Sequence, residues 1–259
     1  MAVSIDRVYQ KVLALANKEQ RGYITPQEFN LFADHAQMEI FEQYFYDLEQ
    51  FQRTPGNDVS YSDRTTGIEN KISYFKRYDQ DMSSIMSGWG DVYLEDNPGQ
   101  GGEGVYKLIA VRLRHAPGES LVVAEEIQVG SEQFLYSSSP LTKNTKKRPI
   151  YWKRADSGKG ISIRIYPKPQ ISNPYDSSVD GTVLVSYIKT PVKPNWSYVV
   201  INDKPLYNST NAVDFELHAS EETELVYRIL ALAGVAIEKP QLTQVAAGAQ
   251  MFQIQQEKQ

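Results

Sequence analysis

The chain has 259 residues, no cysteine, and 27 Lys plus Arg against 32 Asp plus Glu, for a formal net charge of −5. That balance lacks the basic excess that holds a protein to a phosphate backbone, and without thiols there are no disulfides, thiolate metal sites or cysteine nucleophile. The opening MAVSIDRVYQKVLALANK has no signal-type apolar core and no later run approaches the roughly 18 apolar residues of a membrane span, so aqueous surroundings with no membrane are expected. Seventeen tyrosines against three tryptophans favour surfaces that are apolar with a polar tip, a composition suited to assembly.

In chain order, Ser4 is placed to cap a first helix whose Ile5, Val8, Tyr9, Val12 and Leu13 share one face, with Gly22 as its stop. A second helix, Thr25 to Phe51, is the spine of a helical module. Thr25 is its N-cap, Pro26 its first residue, and Glu28 closes a capping box. Phe29, Phe32, Ala33, Ala36, Ile40, Tyr44, Leu48 and Phe51 recur at spacings of three and four, with Phe41, Phe45 and Tyr46 as a stripe beside them. The segment RTPGNDVSYSDRTTG reads as turn-forming, and a third helix is expected from Gly67 to Tyr78 on Ile68, Ile72 and Phe75. The glycine-rich GWGDVYLEDNPGQGGEG, residues 88–104, lacks the Lys-Ser or Lys-Thr of a phosphate loop and reads as a flexible loop or hairpin tip around Val92 to Leu94.

Beyond Gly104 the apolar period changes to two. Val105 to Arg114, Leu121 to Val129, Ile161 to Tyr166, Thr182 to Ile188 and Tyr198 to Ile201 read as short strands, with ADSGKG at 155–160 a hairpin turn. Frequent prolines in the gaps suit an antiparallel sheet. The helical period returns at Ser220, an N-cap before Glu221 and Glu222, with Leu225, Val226, Ile229, Leu230 and Ala233 on the inner face and Gly234 as a left-handed stop. In the glutamine-rich tail, Leu242, Val245, Ala249 and Phe252 make a narrow helical seam that is too thin to fold alone. The fold class expected is α+β: a helical module from both chain ends (1–90 with 214–234), a mostly antiparallel β-sandwich or barrel-like lobe (105–201), and a docking tail (240–259).

The residues offer little chemistry. His35, His115 and His218 lie far apart and outside any metal-binding pattern, no GxSxG elbow occurs, and the acid pairs Glu125 with Glu126 and Glu221 with Glu222 diverge on a strand or a helix. Neither a catalytic residue nor a cofactor is expected. One basic cluster, Lys143, Lys146, Lys147 and Arg148, reads either as a solvated loop or as a contact for an acidic partner or nucleic acid. With Trp196 and the tail residues Leu242, Val245 and Phe252, these are the candidate interface residues.

The succession of RGYITPQEFN, SSSPLTKNTKKRPIYW, ISIRIYPKP, VLVSYIKTPVKPNW and DFELHASEETELVYRILALAGV, ending in QQEKQ, resembles virion structural proteins of tailed bacteriophages. It is most similar to neck and tail-ring proteins of crAss-like and related short-tailed phages, over about residues 3–258. The resemblance implies a subunit of a homo-oligomeric ring below the portal, joining head to tail, contacting its own copies and the portal or neighbouring neck and tail proteins. DNA would pass through without sequence-specific binding, and the protein would reside in the virion. A capsid-decorating or fibre-attachment protein is the alternative in the binding class, and a tail-associated hydrolase the alternative in the enzyme class.

Overall fold

The computed structural model describes residues 3–18, 24–53, 59–83, 90–94, 104–116, 118–128, 143–156, 160–169, 181–202, 204–236, 248 and 251. Among these are four α-helices, α1 (Ile5–Lys18), α2 (Pro26–Arg53), α3 (Val59–Ser73) and α4 (Glu222–Ala236). There are also ten strands: β1 (Lys76–Asp81), β2 (Asp91–Tyr93), β3 (Val105–Arg114), β4 (Val122–Val123), β5 (Glu125–Ile127), β6 (Ile150–Asp156), β7 (Gly160–Tyr166), β8 (Thr182–Lys189), β9 (Tyr198–Ile201) and β10 (Lys204–Tyr207). The fold is α+β with mostly antiparallel sheets, as the switch of apolar period predicts.

The chain divides into two compact units. A helical unit takes 1–74 and 191–259, and a sandwich unit takes 75–190. These borders differ from those read in the sequence at two places. The strand β1 already belongs to the sandwich, and β9 and β10 belong with the helices.

In the helical unit, α2 begins on the expected capping box. The Thr25 backbone N–H donates to the Glu28 carboxylate at 2.9 Å, and the Glu28 N–H donates to Thr25 Oγ1 at 3.3 Å. The Thr25 hydroxyl also donates to the Glu28 carboxylate, at 2.7 Å, and the two donors of Thr25, the backbone N–H most, hold that carboxyl below its ordinary pKa. Phe29, Ala33, Ala36, Ile40 and Phe41 are fully buried, while Tyr46, expected beside them, is exposed. The start of α1 is fixed from a distance: Ile5 N–H donates to Asp214 Oδ1 at 2.9 Å, and Val3 pairs with Phe215. Gln37, wholly buried on α2, donates from Nε2 to the Val192 carbonyl at 2.8 Å and accepts from the Glu216 N–H, which ties the 191–216 segment to the helices.

Two helix readings need correction. The third helix does not run from Gly67 to Tyr78; it starts at Val59, inside the segment read as turns, and ends at Ser73, because the chain from Lys76 pairs with β8 as β1. For α4, the cap is His218 rather than Ser220. Its Nδ1 accepts the Ser220 N–H at 3.2 Å and opens a short 3-10 turn, Ala219–Glu221, and the helix then continues through Gly234 to Ala236. Gly234 is therefore a helical residue, not a left-handed stop. Gly22 and residues 54–58 lie outside the described residues.

The sandwich unit has two four-stranded sheets, β1-β8-β3-β4 and β2-β7-β6-β5, in which only the β5–β6 pairing is parallel. Their inner faces share one core that includes Val111, Leu113, Val183, Val185 and Tyr187 from one sheet and Val92, Tyr151, Ile163 and Ile165 from the other. The chain changes sheet at buried Ala124, whose N–H reaches the Val111 carbonyl at 2.8 Å. In the glycine-rich stretch, Gly90 has φ +89, and a Cβ there would lie 3.2 Å from the Ile165 carbonyl oxygen, so glycine is required. Both ends of the unit meet: the Lys189 N–H donates to the Phe75 carbonyl at 2.9 Å.

Candidate functional site

The basic cluster is a tight turn. Thr145 and Arg148 exchange both backbone hydrogen bonds, and Thr145 Oγ1 also accepts the Arg148 N–H. Arg148 spans Glu125 with two nitrogens at 3.0 and 3.2 Å, and Lys146 lies 3.8 Å from Glu119. Lys143 and Lys147 are exposed. With two of the four cations matched by neighbouring carboxylates, the turn carries a much weaker field than its sequence suggests.

Trp196 is the hub of the helical unit's aromatic cluster and is only 2% exposed. Its backbone is gripped by Asn30 of α2, whose side-chain amide accepts the Trp196 N–H at 2.7 Å and donates to the Trp196 carbonyl at 3.2 Å. Its indole N–H donates to Asp6 Oδ1 of α1 at 3.0 Å. The rings of Tyr9, Tyr198 and Tyr207 surround it with centroids 4.3, 5.8 and 5.9 Å away. Every polar atom of the residue named here has a partner, so the tryptophan is locked in place. In a single chain it is a floor, and contact with another molecule falls to what stands on it.

On that floor stands the ribbon of β9 and β10, paired Tyr198↔Tyr207, Val199↔Leu206, Val200↔Pro205 and Ile201↔Lys204. Directly paired residues share a face. One face therefore carries Tyr198, Tyr207, Val200 and Pro205, and its two tyrosines rest on Trp196; the other carries Val199, Leu206, Ile201 and Lys204. Val199, Val200, Ile201 and Leu206 are each about half exposed, at 48, 59, 52 and 51%. A two-stranded ribbon is marginal in water, and one that is largely apolar on both faces, with Lys204 at the end of one, gains from being covered on both.

Between this ribbon and α1 runs a groove of about 650 Å³. Tyr9 and Leu13 form one wall, Pro205, Leu206 and Tyr207 the other, and Trp196 lies between them. Asp6, Gln10 and Lys204 supply its polar lining. Partial burial pushes the Tyr207 phenol pKa up, and the carboxylates of Asp214 and Asp6 add to the shift, so the phenol stays neutral and able to donate.

The acid pairs read in the sequence are committed to ion pairs. Glu125 pairs with Arg148, and Glu126 with Lys153 at 2.9 Å while accepting from the Tyr151 hydroxyl. Buried Glu221 pairs with Lys71 at 2.6 Å, and Glu222 with Lys11 at 2.7 Å. Arg228 of α4 is held by Glu224, Glu39 and Gln43. His35 meets Glu39, His218 serves as a cap, and His115 is buried in the sandwich. Among the described residues no group of three acids or histidines is placed to hold a metal ion, and no helix is long and apolar enough to cross a membrane.

Leu242, Val245 and Phe252 lie outside the described residues. The groove was missed in the sequence because it needs α1 beside residues 196–207, nearly two hundred positions on; of the ribbon, Tyr198 to Ile201 was read as a strand and its partner β10 was not. The one local signal was YVVI followed closely by KPLY, two apolar segments without the polar alternation of a half-buried strand. No protein-family model matches the chain, and no curated protein matches it.

Proposed function

We propose that this chain is a structural subunit of a bacteriophage virion, forming a homo-oligomeric ring in the neck below the portal that joins head to tail and lets DNA pass. The observation that carries the reading is the β9–β10 ribbon, largely apolar on both faces, with four aliphatic side chains about half exposed. Covering each such side chain contributes up to about 1.5–3 kcal/mol, a gain open to a protein that works among its own copies. The place in the virion comes from the resemblance in the ordered motifs from RGYITPQEFN to QQEKQ. A net charge of −5 also fits a subunit past which DNA slides without adhering.

Electron cryomicroscopy of the intact particle tests the reading. The expected map has a closed ring of this chain between portal and tail, with the ribbon of each copy covered by a neighbour. A particle in which the chain touches no copy of itself overturns it.

A further inference from the structure

We propose that in solution two copies of this chain join through the free edge of β9, antiparallel about a two-fold axis at Val199, so that two ribbons become one four-stranded sheet. This goes beyond the ring reading: a two-fold contact pairs the free subunits and by itself closes no ring.

The ladder fixes which groups face that edge. The Asn208 N–H donates to the Ser197 carbonyl at 2.8 Å, so 197 and 208 form a hydrogen-bonded pair. Such pairs alternate along antiparallel strands, which makes Val199↔Leu206 and Ile201↔Lys204 the next two. Val199 and Ile201 therefore direct their backbone groups at β10, and Tyr198 and Val200 turn theirs outward. Pro205, opposite Val200, agrees, because it sits where the ladder needs no N–H. Among the described residues, no hydrogen bond reaches the outward groups of Tyr198 and Val200.

Among the described residues the other five sheet edges are guarded. The strand β1 is KRYDQD with a bulged pairing, β4 has two residues, β2 has three and begins at Asp91, and β5 carries Glu125 and Glu126. The outer edge of β10 has Lys204 and a proline without a donor. Only β9, YVVI, has neither charge nor proline nor bulge over four residues, and its Val200 and Ile201 are more than half exposed. An edge with donors, acceptors and apolar side chains but no such guard is a template for another strand.

A second copy is the occupant because β9 is complementary to itself. With Val199 opposite Val199 of the other copy, Tyr198 of each lies opposite Val200 of the other, and the two pairs exchange hydrogen bonds that satisfy all of their outward groups. The match opposes no charges, and one face gains an unbroken row of Leu206, Val199, Val199 and Leu206 across four strands. Two strands alone are marginal, and three or more with an apolar face are not. Strands of four residues make a contact below the about 1,200 Å² of a firm interface, so the dimer is weak and reversible.

The chain has no cysteine, so a single introduced cysteine reports the register. Residues opposed in a non-hydrogen-bonded pair have Cα atoms about 4.5 Å apart, within disulfide reach, whereas Ile201 of one copy lies about 13 Å from Ile201 of the other. Full-length Val199→Cys under mild oxidation is expected to give a covalent dimer, and Ile201→Cys at least about tenfold less. Val200→Pro added to Val199→Cys removes an outward donor but no bond of the ribbon, and is expected to abolish the dimer. Val200→Lys, which sets two like charges diagonally across the axis, is expected to do the same and serves where the proline disturbs folding, as read by circular dichroism. No dimer from Val199→Cys, equal product from Ile201→Cys, or a dimer that survives the folded Val200 variants overturns the inference. Electron cryomicroscopy of virions reads the ring separately. A ring without the dimer in solution leaves only the ring reading standing, and a dimer without a ring leaves only this one.

Discussion

The β6–β7 hairpin and the β9–β10 hairpin share antiparallel pairing but distribute their side chains differently. In β6–β7 one face turns Tyr151, Ile163 and Ile165 into the sandwich core. Its other face mixes Ile150, Trp152 and Tyr166 with Arg154, Ser162 and Arg164, and Arg164 forms two bonds to Asp91 and sits over the Trp152 ring at 5.8 Å. The hydrogen bonds from the Asp91 carboxylate hold the Arg164 guanidinium far above its ordinary pKa. In β9–β10 both faces are largely apolar and half open, with Lys204 at the end of one. The first hairpin is complete within its own unit; the second is stable only because Trp196 and its ring neighbours hold one side. Apolar content alone does not distinguish a core strand from an interface strand; what differs here is an outer face tied by the Arg164–Asp91 pair against one left with half-exposed aliphatic side chains.

The largest expected effect lies in the first hairpin. Ile163→Ala, which empties a fully buried position, lowers stability by about 2–5 kcal/mol in chemical denaturation. Asp214→Ala, which removes the carboxylate at the start of α1, costs about 0.5–2 kcal/mol, with Asp214→Asn retaining most of the stability.

A third test is pH. His115 is buried in the sandwich unit, and among the described residues its Nε2 has no hydrogen-bond partner. Burial, with the Lys146 charge adding and Glu119 opposing, holds its pKa below the ordinary 6.5. The unfolded chain therefore takes up this proton at higher pH than the folded chain. Stability is fully present above pH 6.5 and falls as pH drops from there toward the depressed value. Urea midpoints measured at about pH 7.5 and about pH 5 should show this fall, and His115→Gln should reduce it. An unchanged slope in the variant means that other groups cause it.

The smallest effect on stability belongs to the second hairpin. Val199→Thr with Ile201→Thr should move the midpoint by no more than about 0.5 kcal/mol each while weakening self-association measured by sedimentation. A large loss of stability would mean that the ribbon is a core element, and the contrast between the hairpins would fail.

What was legible in the sequence was local. The capping box of Thr25 and Glu28 needs four consecutive residues, and the buried stripe of α2 needs only its own period. Asp214 could not be found as the cap of α1, because 209 positions separate donor and acceptor. Ile68, Ile72 and Phe75 fit a helix by spacing, yet Phe75 is buried in a different unit from the other two. The strand β6, IYWKRAD, hid behind its charges, of which Lys153 and Arg154 are exposed, and β10, KPLY, hid behind its proline, which an outer strand tolerates. The groove was illegible for the same reason as the cap: its walls come from the two ends of the chain.

The hydrogen bond from Lys189 to Phe75 has a consequence for how the gene could be edited. Residues opposed across such a pair stand only about 5 Å apart, so the whole sandwich enters and leaves the helical chain through an opening as narrow as that of a tight turn. To the helices, the sandwich is topologically equivalent to a short loop. A few glycines and serines could replace it, or another domain with adjoining ends could be grafted in its place, without lengthening the path that the helical chain must close.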